Sequence, residues 1–261
     1  MHRTPALTNG LALTFIFGGF GMMSSLPAAD DDDDDDRGVY ELRVYTCEEG
    51  RLPALHQRFS DHTMKLFEKH GIQNVAYFTP TDEPESETTL IYLLWHESRE
   101  AAAQSWDAFR NDDEWKQVLA ESEKDGKILA RSPESTFLVA TDYSPEVEPV
   151  TDEFVYELRI YTAAEGKLAA LHDRFRDHTL DLFEKHGMSN VGYFNPEDEP
   201  ESNTQLVYII AHKNRDAAAA SWKAFIEDPD WKRAAAASRV DGRLVAEIES
   251  TYMQPTDYTP E

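Results

Sequence analysis

The stretch VYELRVYT, residues 39–46, returns as VYELRIYT at residues 155–162. Read as a strand, it sends Tyr40, Leu42 and Val44 to one face and Glu41, Arg43 and Tyr45 to the other, because successive strand side chains alternate. The return extends far beyond these eight residues. A shift of 116 aligns Val39–Ala130 with Val155–Ala246 without a gap, with 54 identities in 92 positions. After a one-residue gap the tails also match, ESTFLVATDYSP at 134–145 against ESTYMQPTDYTP at 249–260. The chain is a duplication: one copy at 38–143, a second at 154–261, and a proline- and acid-rich joint, SPEVEPVTDE at 144–153, that reads as a short stiff linker.

Both copies follow the same order. After the first strand, Gly50 marks a turn, and an amphipathic helix is predicted from Arg51 to His70, with Leu52, Leu55, Phe59, Thr63, Leu66 and Phe67 as its apolar stripe and Gly71 as its terminator. Strands are predicted at 74–78 and 89–96, separated by the turn-rich TPTDEPESET. A second helical region begins near Arg99 and breaks around Asn111 and Asp112; in the second copy Asp228 and Pro229 supply an N-cap and a first-position proline for a new helix. STFLVAT closes the unit. The order βαββαβ is the ferredoxin-like α+β arrangement, an antiparallel sheet with helices on one face. The helices are expected to cover Tyr40, Leu42 and Val44. The face bearing Glu41, Arg43 and Tyr45 is then left for the second copy, which the linker supplies at high effective concentration.

The YELRVYT strand with its following glycine, the EKHG helix end, the YF strand with its acidic loop, the LLW strand followed by Arg99, and DDEW or DPDW together resemble the NIPSNAP family of the dimeric α+β barrel superfamily. The resemblance covers nearly all of residues 38–261, twice. It implies two four-stranded sheets closing into a barrel with helices outside, here an intrachain pseudo-dimer of tandem domains, and it implies no settled reaction.

Composition narrows the partners. A formal charge of −25 over 261 residues repels phosphate backbones and anionic headgroups, so no nucleic acid or acidic membrane partner is expected. Arg3, the apolar LALTFIFGGFGMM at 11–23 and the small residues Ala28 and Ala29 have the layout of a secretory signal peptide, residues 1–29, too short to span a bilayer. Export to the periplasm or medium is expected, with no membrane span after cleavage. Asp30 to Asp36 read as part of a solvated spacer, residues 30–37, because adjacent like charges lack the spaced ligands of a cation loop. The lone Cys47 excludes an intramolecular disulfide.

Candidate site residues fall in two groups. Glu41, Arg43 and Tyr45, with Glu157, Arg159 and Tyr161, are expected to line the barrel or its mouths, as a structural ion pair or as a ligand-binding wall. Tyr92 and His96, with Tyr208 and His212, share one face of the third strand and could orient or deprotonate a small substrate. On the first helix His56 and His62 border the buried stripe and His70 lies at its end; His172, His178 and His186 repeat them. His56 and His62 are six residues apart, unlike the i,i+4 pair of a helical zinc motif, so no metal site is expected. Trp106, Phe109 and Trp115, repeated as Trp222, Phe225 and Trp231, fit helix-to-sheet packing. Nucleotide-binding glycine loops and nucleophile motifs are absent from the sequence.

Three functions remain open. One is binding of a small apolar or aromatic ligand in or beside the barrel, with no cofactor. Another is a cofactor-free oxidoreductase, or a haem-dependent one with His62 or His178 as ligand. The third is a structural or partner-binding role with a filled barrel. Further oligomerisation is not readable.

Overall fold

The computed structural model describes residues 38–261; the predicted signal peptide, residues 1–29, and the aspartate-rich spacer, residues 30–37, lie outside them. In copy 1 the order is β1 (Val39–Thr46), α1 (Leu52–Arg58), a π-helical turn (Phe59–Thr63), α2 (Met64–Lys69), β2 (Gln73–Pro80), α3 (Glu85–Thr88), β3 (Thr89–His96), α4 (Arg99–Asn111), α5 (Asp113–Ser122) and β4 (Glu134–Ala140). Copy 2 repeats it: β5 (Val155–Ala163), α6 (Leu168–Arg174), a second π turn (Phe175–Thr179), α7 (Leu180–Lys185), β6 (Ser189–Pro196), a 3₁₀ turn (Glu201–Asn203), β7 (Gln205–His212), α8 (Arg215–Glu227), α9 (Pro229–Ala237) and β8 (Val245–Pro255). The break between α4 and α5 is a capping event: Asp112 accepts from the Glu114 backbone N–H, and Asp228 does the same for Asp230.

The strands close into one barrel in the order β1-β3-β2-β8-β5-β7-β6-β4. Within each copy the pairing is antiparallel and ferredoxin-like. Closure comes from the last strands, because β4 pairs with β1 of its own copy and β6 of the other, while β8 pairs with β5 and β2. Neither copy keeps a free sheet edge.

The faces are reversed from the sequence expectation. Leu42 lies inside the barrel with Phe78, Ile91 and Leu93, against Leu158, Phe194, Val207 and Ile209 of copy 2, and partly buried Tyr40 and Val44 pack on the same cluster. Tyr45 instead belongs to the layer between sheet and helices, with Leu55, Phe59, Phe67, Tyr92 and Trp106. Glu41 and Arg43 point the same way as Tyr45. The physical reason is closure. An eight-stranded barrel is just wide enough to be filled by side chains and offers no route to water, so it takes the purely apolar face. The helix layer can accept charges, since α4 brings a matching donor.

The linker adds to the barrel rather than crossing open solvent, with Val150 buried in the interior cluster and Val147 packed on it. Symmetric clasps fix each copy to the other's helix. His56 Nδ1 lies 2.7 Å from the Tyr258 hydroxyl, and His172 Nδ1 lies 2.7 Å from that of Tyr143. Arg99 pairs with Glu197 and Asp198, Arg215 with Asp82. Removing both tyrosine hydroxyls, Tyr143→Phe with Tyr258→Phe, deletes two neutral hydrogen bonds worth about 1 kcal/mol each. A melting temperature about 4–8 °C lower is the expected result for a chain of this size by scanning calorimetry; an unchanged midpoint would remove the clasp from the stabilising interactions.

Candidate functional site

Each copy builds the same cluster between sheet and helices. Glu41 sits on β1 directly between β3 and β4, and its carboxylate collects four donors: Arg43 Nη1 and Ser135 Oγ at 2.5 Å on Oε1, with Trp106 Nε1 at 2.7 Å and His96 Nε2 at 3.0 Å on Oε2. Four donors match the roughly four lone-pair directions of a carboxylate. Because the carboxylate only accepts, the His96 proton belongs on Nε2, and its buried Nδ1 bonds to no described residue. In copy 2 Glu157 accepts from Arg159, Ser250 (2.6 Å), Trp222 (2.8 Å) and His212 (2.9 Å).

Electrostatics hold this cluster in one state. Burial alone would raise the Glu41 carboxyl, but the bonds from His96, Ser135 and Trp106 together with the Arg43 charge outweigh it and bring the group down to about 2; Glu157 behaves identically. Burial would pull the Arg43 guanidinium down, and the Tyr92 and Tyr45 phenols with Glu41 push it above its ordinary range. Arg43 also lies over the Trp106 ring, 4.4 Å from its centroid, and donates from Nε to the Tyr92 hydroxyl at 2.9 Å. Burial drives the Tyr92 and Tyr208 phenols well above the usual range.

The fold thus brings all ten strand candidates into two clusters that match but for one bond: the buried Arg159 Nε and Tyr208 hydroxyl lack the contact that joins Arg43 to Tyr92. Glu41, Tyr92 and His96 are enclosed, as are their counterparts. Tyr45, Arg159 and Tyr161 border cavities. The helix histidines separate by role. His56 and His172 are clasps; His70 and His186 lie 2.6 and 2.7 Å from the capping carboxylates Asp112 and Asp228. His62 and His178 do not border the buried stripe: the π turn has more residues per revolution than an α-turn and carries both to the exposed face. His62 lies in a cleft with Arg58, Asp61, Gln117 and Glu121, a polar setting that does not fit a porphyrin plane. Among the described residues no group of three or more His, Cys, Asp or Glu could hold a metal ion, and no helix is long and apolar enough to cross a membrane. Burial pushes the Cys47 thiol up to about 11, away from reactivity.

Sequence reasoning missed the indoles of Trp106 and Trp222 as carboxylate donors, the serines Ser135 and Ser250, and the buried arginines Arg58 and Arg174. No local signal marked the arginines: each stands immediately before the phenylalanine that opens a π turn and is buried there.

Cavities recur beside the π turns. In copy 1 a cavity of about 170 Å³ is bounded by Tyr45, Arg58, Phe59, Thr63, Phe109 and Trp115. Its copy 2 equivalent, about 100 Å³, is bounded by Tyr161, Arg174, Phe175, Thr179, Phe225 and Trp231. In copy 2 it is adjoined by a cleft of about 710 Å³, reaching Arg159, Tyr161, Trp222, Trp231, Ala235 and Ile248, while the copy 1 cavity shares Arg58 with the cleft of about 520 Å³ that holds His62. A further cleft of about 650 Å³, lined by linker residues with Tyr40 and Trp95, is acidic through Asp142, Glu146, Glu148 and Glu261.

Comparison with known proteins agrees with this architecture. A candidate monooxygenase from Lactobacillus acidophilus NCFM superposes with a TM-score of 0.54 at 11% identity, covering 84% of this chain and 94% of its own. An anthrone oxidase-like protein gives 0.52 at 13% identity, covering 85% and 92%. A NIPSNAP family protein of unknown function from Agrobacterium tumefaciens str. C58, 24% identical, covers 44% of this chain and 98% of its own, with a TM-score of 0.37. No curated protein matches the sequence. The NIPSNAP family profile matches residues 40–145 and again residues 156–260. With both copies matched over nearly their whole length, this chain belongs to the NIPSNAP family.

Proposed function

We propose that this protein binds a small apolar or aromatic molecule beside the barrel, in the copy 2 cleft between α8, α9 and strands β5 and β8. The observation carrying this reading is the lining of the copy 2 cleft: about 710 Å³ beside Tyr161 with mostly apolar walls, where the copy 1 cleft of about 520 Å³ beside His62 is lined mostly by polar and charged side chains. Volumes of 300–1,000 Å³ with apolar walls and few polar groups are typical of ligand sites. The sequence difference responsible is small. Val118 and Leu119 on α5 become Ala234 and Ala235 on α9, and shortening these side chains empties the space that Leu119 helps to fill. The wall is aromatic, from Trp222, Phe225 and Trp231, with Arg159 and Tyr161 as its polar floor.

The oxidoreductase alternative has a shared fold behind it, and one fold hosts many chemistries. The N-terminal apolar segment favours a role outside the cytoplasm, so the sample for testing comes from the exported fraction. Native mass spectrometry of that sample is expected to show a mass excess that denaturation removes. Ala235→Leu, which installs the copy 1 residue, is expected to lose at least nine-tenths of the excess while keeping its fold. A bare polypeptide mass in the unmodified protein would turn the reading toward a structural role.

A further inference from the structure

In an otherwise acidic protein, the copy 2 cleft is lined by cations and by no acid. Arg159, Lys232 and Arg239 line its outer part; Arg174 lines the adjoining inner cavity, with Arg239 shared between the two. Arg159 is already neutralised by Glu157. Arg174 is not. Its side chain is 95% buried (5% exposed), its Nε has no acceptor, and it makes no hydrogen bond or ion pair with any described residue, resting only on the Trp231 ring at 5.0 Å. A buried guanidinium without an anion carries a desolvation cost that a partner charge would offset. Burial lowers its pKa, and Arg239 lowers it further, against the opposing effect of the Tyr161 and Tyr208 phenols.

Copy 1 shows what is missing. There the equivalent arginine, Arg58, has a carboxylate 3.8 Å from its Nη1, that of Glu123, and the position equivalent to Glu123 under the 116-residue shift is Arg239. The second copy has exchanged an internal anion for another cation. Arg110 of copy 1 becomes Ile226, which lines the cleft, and Lys124 becomes Val240, next in the chain to Arg239. Ile226, Val240 and Ile248 are the exposed large hydrophobics among the described residues, and two of them line this cleft.

Resting on the ligand-binding reading above, we infer that the copy 2 cleft takes a monocarboxylate with an apolar body, its carboxylate held by Arg174 and Arg239 where copy 1 places Glu123, and its body lying against Trp222, Trp231 and Ile248. Arginine forks suit a planar carboxylate, and the shallow aromatic wall suits an uncharged tail. Copy 1 takes no such ligand, because Glu123 fills the anion position and Leu119 the space.

Isothermal titration of the delipidated full chain with decanoate, decanol and inorganic phosphate tests this. Decanoate is expected to bind at one site, at least tenfold more tightly than decanol, with no measurable phosphate binding. Arg239→Glu rebuilds the copy 1 pair with Arg174; it is expected to lose decanoate affinity at least tenfold, keep decanol affinity and raise the melting temperature. Arg239→Gln, which only removes the charge, gives the same direction with a smaller loss should the glutamate variant not fold. Equal affinities for decanoate and decanol, unaltered in either variant, would overturn the carboxylate assignment and leave the apolar site standing. Absence of both ligands would overturn the two together. Phosphate binding as tightly as decanoate would reduce the site to a simple anion hole and overturn the assigned class.

Discussion

Glu41→Ala is expected to lower the unfolding free energy by about 3–5 kcal/mol, the usual cost of removing one partner from a buried ion pair. The variant leaves Arg43, Trp106 Nε1, Ser135 and His96 without their shared acceptor, and of these Trp106 and His96 are buried where water does not replace it. Against a total stability of about 5–15 kcal/mol, that is a large fraction. Urea unfolding followed by circular dichroism measures it, and a loss below about 1 kcal/mol would mean that the cluster is solvated. The same carboxylates set the acid limit. Each has a folded-state pKa of about 2 against an ordinary value of 4.5. Their stabilisation is complete above about pH 4.5 and is lost as pH falls toward 2, because the unfolded chain then binds protons more readily. Over that window each contributes a slope of about 1.4 kcal/mol per pH unit. In Glu41→Gln with Glu157→Gln, which cannot titrate, stability starts lower and the steep acid limb below pH 4.5 is expected to flatten.

The second large effect concerns the copies themselves. Residues 38–153 expressed alone are expected to be a dimer or an aggregate, never a folded monomer. Without copy 2, Leu42, Phe78, Ile91, Leu93 and Leu138 face solvent, and β2 and β4 regain free edges. At about 1.5–3 kcal/mol for each large apolar side chain, the loss is on the order of 10 kcal/mol, comparable to the stability of the whole fold. Sedimentation equilibrium distinguishes the outcomes; a cooperative monomer with the melting temperature of the full chain would show that the barrel interior contributes little.

The duplication and the element order were legible because they depend on an internal repeat, glycine and proline punctuation and hydrophobic periodicity; the closed barrel was implied by the family resemblance. The orientation of β1 was not. Both of its faces end up covered, so the apolar face alone could not say which cover was the helices and which the other copy; the deciding quantity was the polarity each compartment tolerates. Ile91 and Leu93 on β3 carried a hint, since TLIYLLWH is apolar on both faces and so reads as a strand with no solvent side. His62 was misplaced for a different reason: one π turn changes the angular step along the helix, and no residue preference announces it. Arg174 escaped notice because a single arginine has no pattern. It becomes visible only when position 239 is compared with position 123.

In a barrel assembled from two identical chains, every substitution appears on both sides of the twofold axis. Joining the halves through residues 144–153 lifts that constraint. One half can retain Glu123 as a built-in counterion and keep the shell rigid, while the other gives up the same position without weakening its twin. Fusion therefore acts as a licence for division of labour: half of the ring serves as scaffold, and the other half is free to acquire chemistry that a symmetric assembly would have to accept twice or not at all.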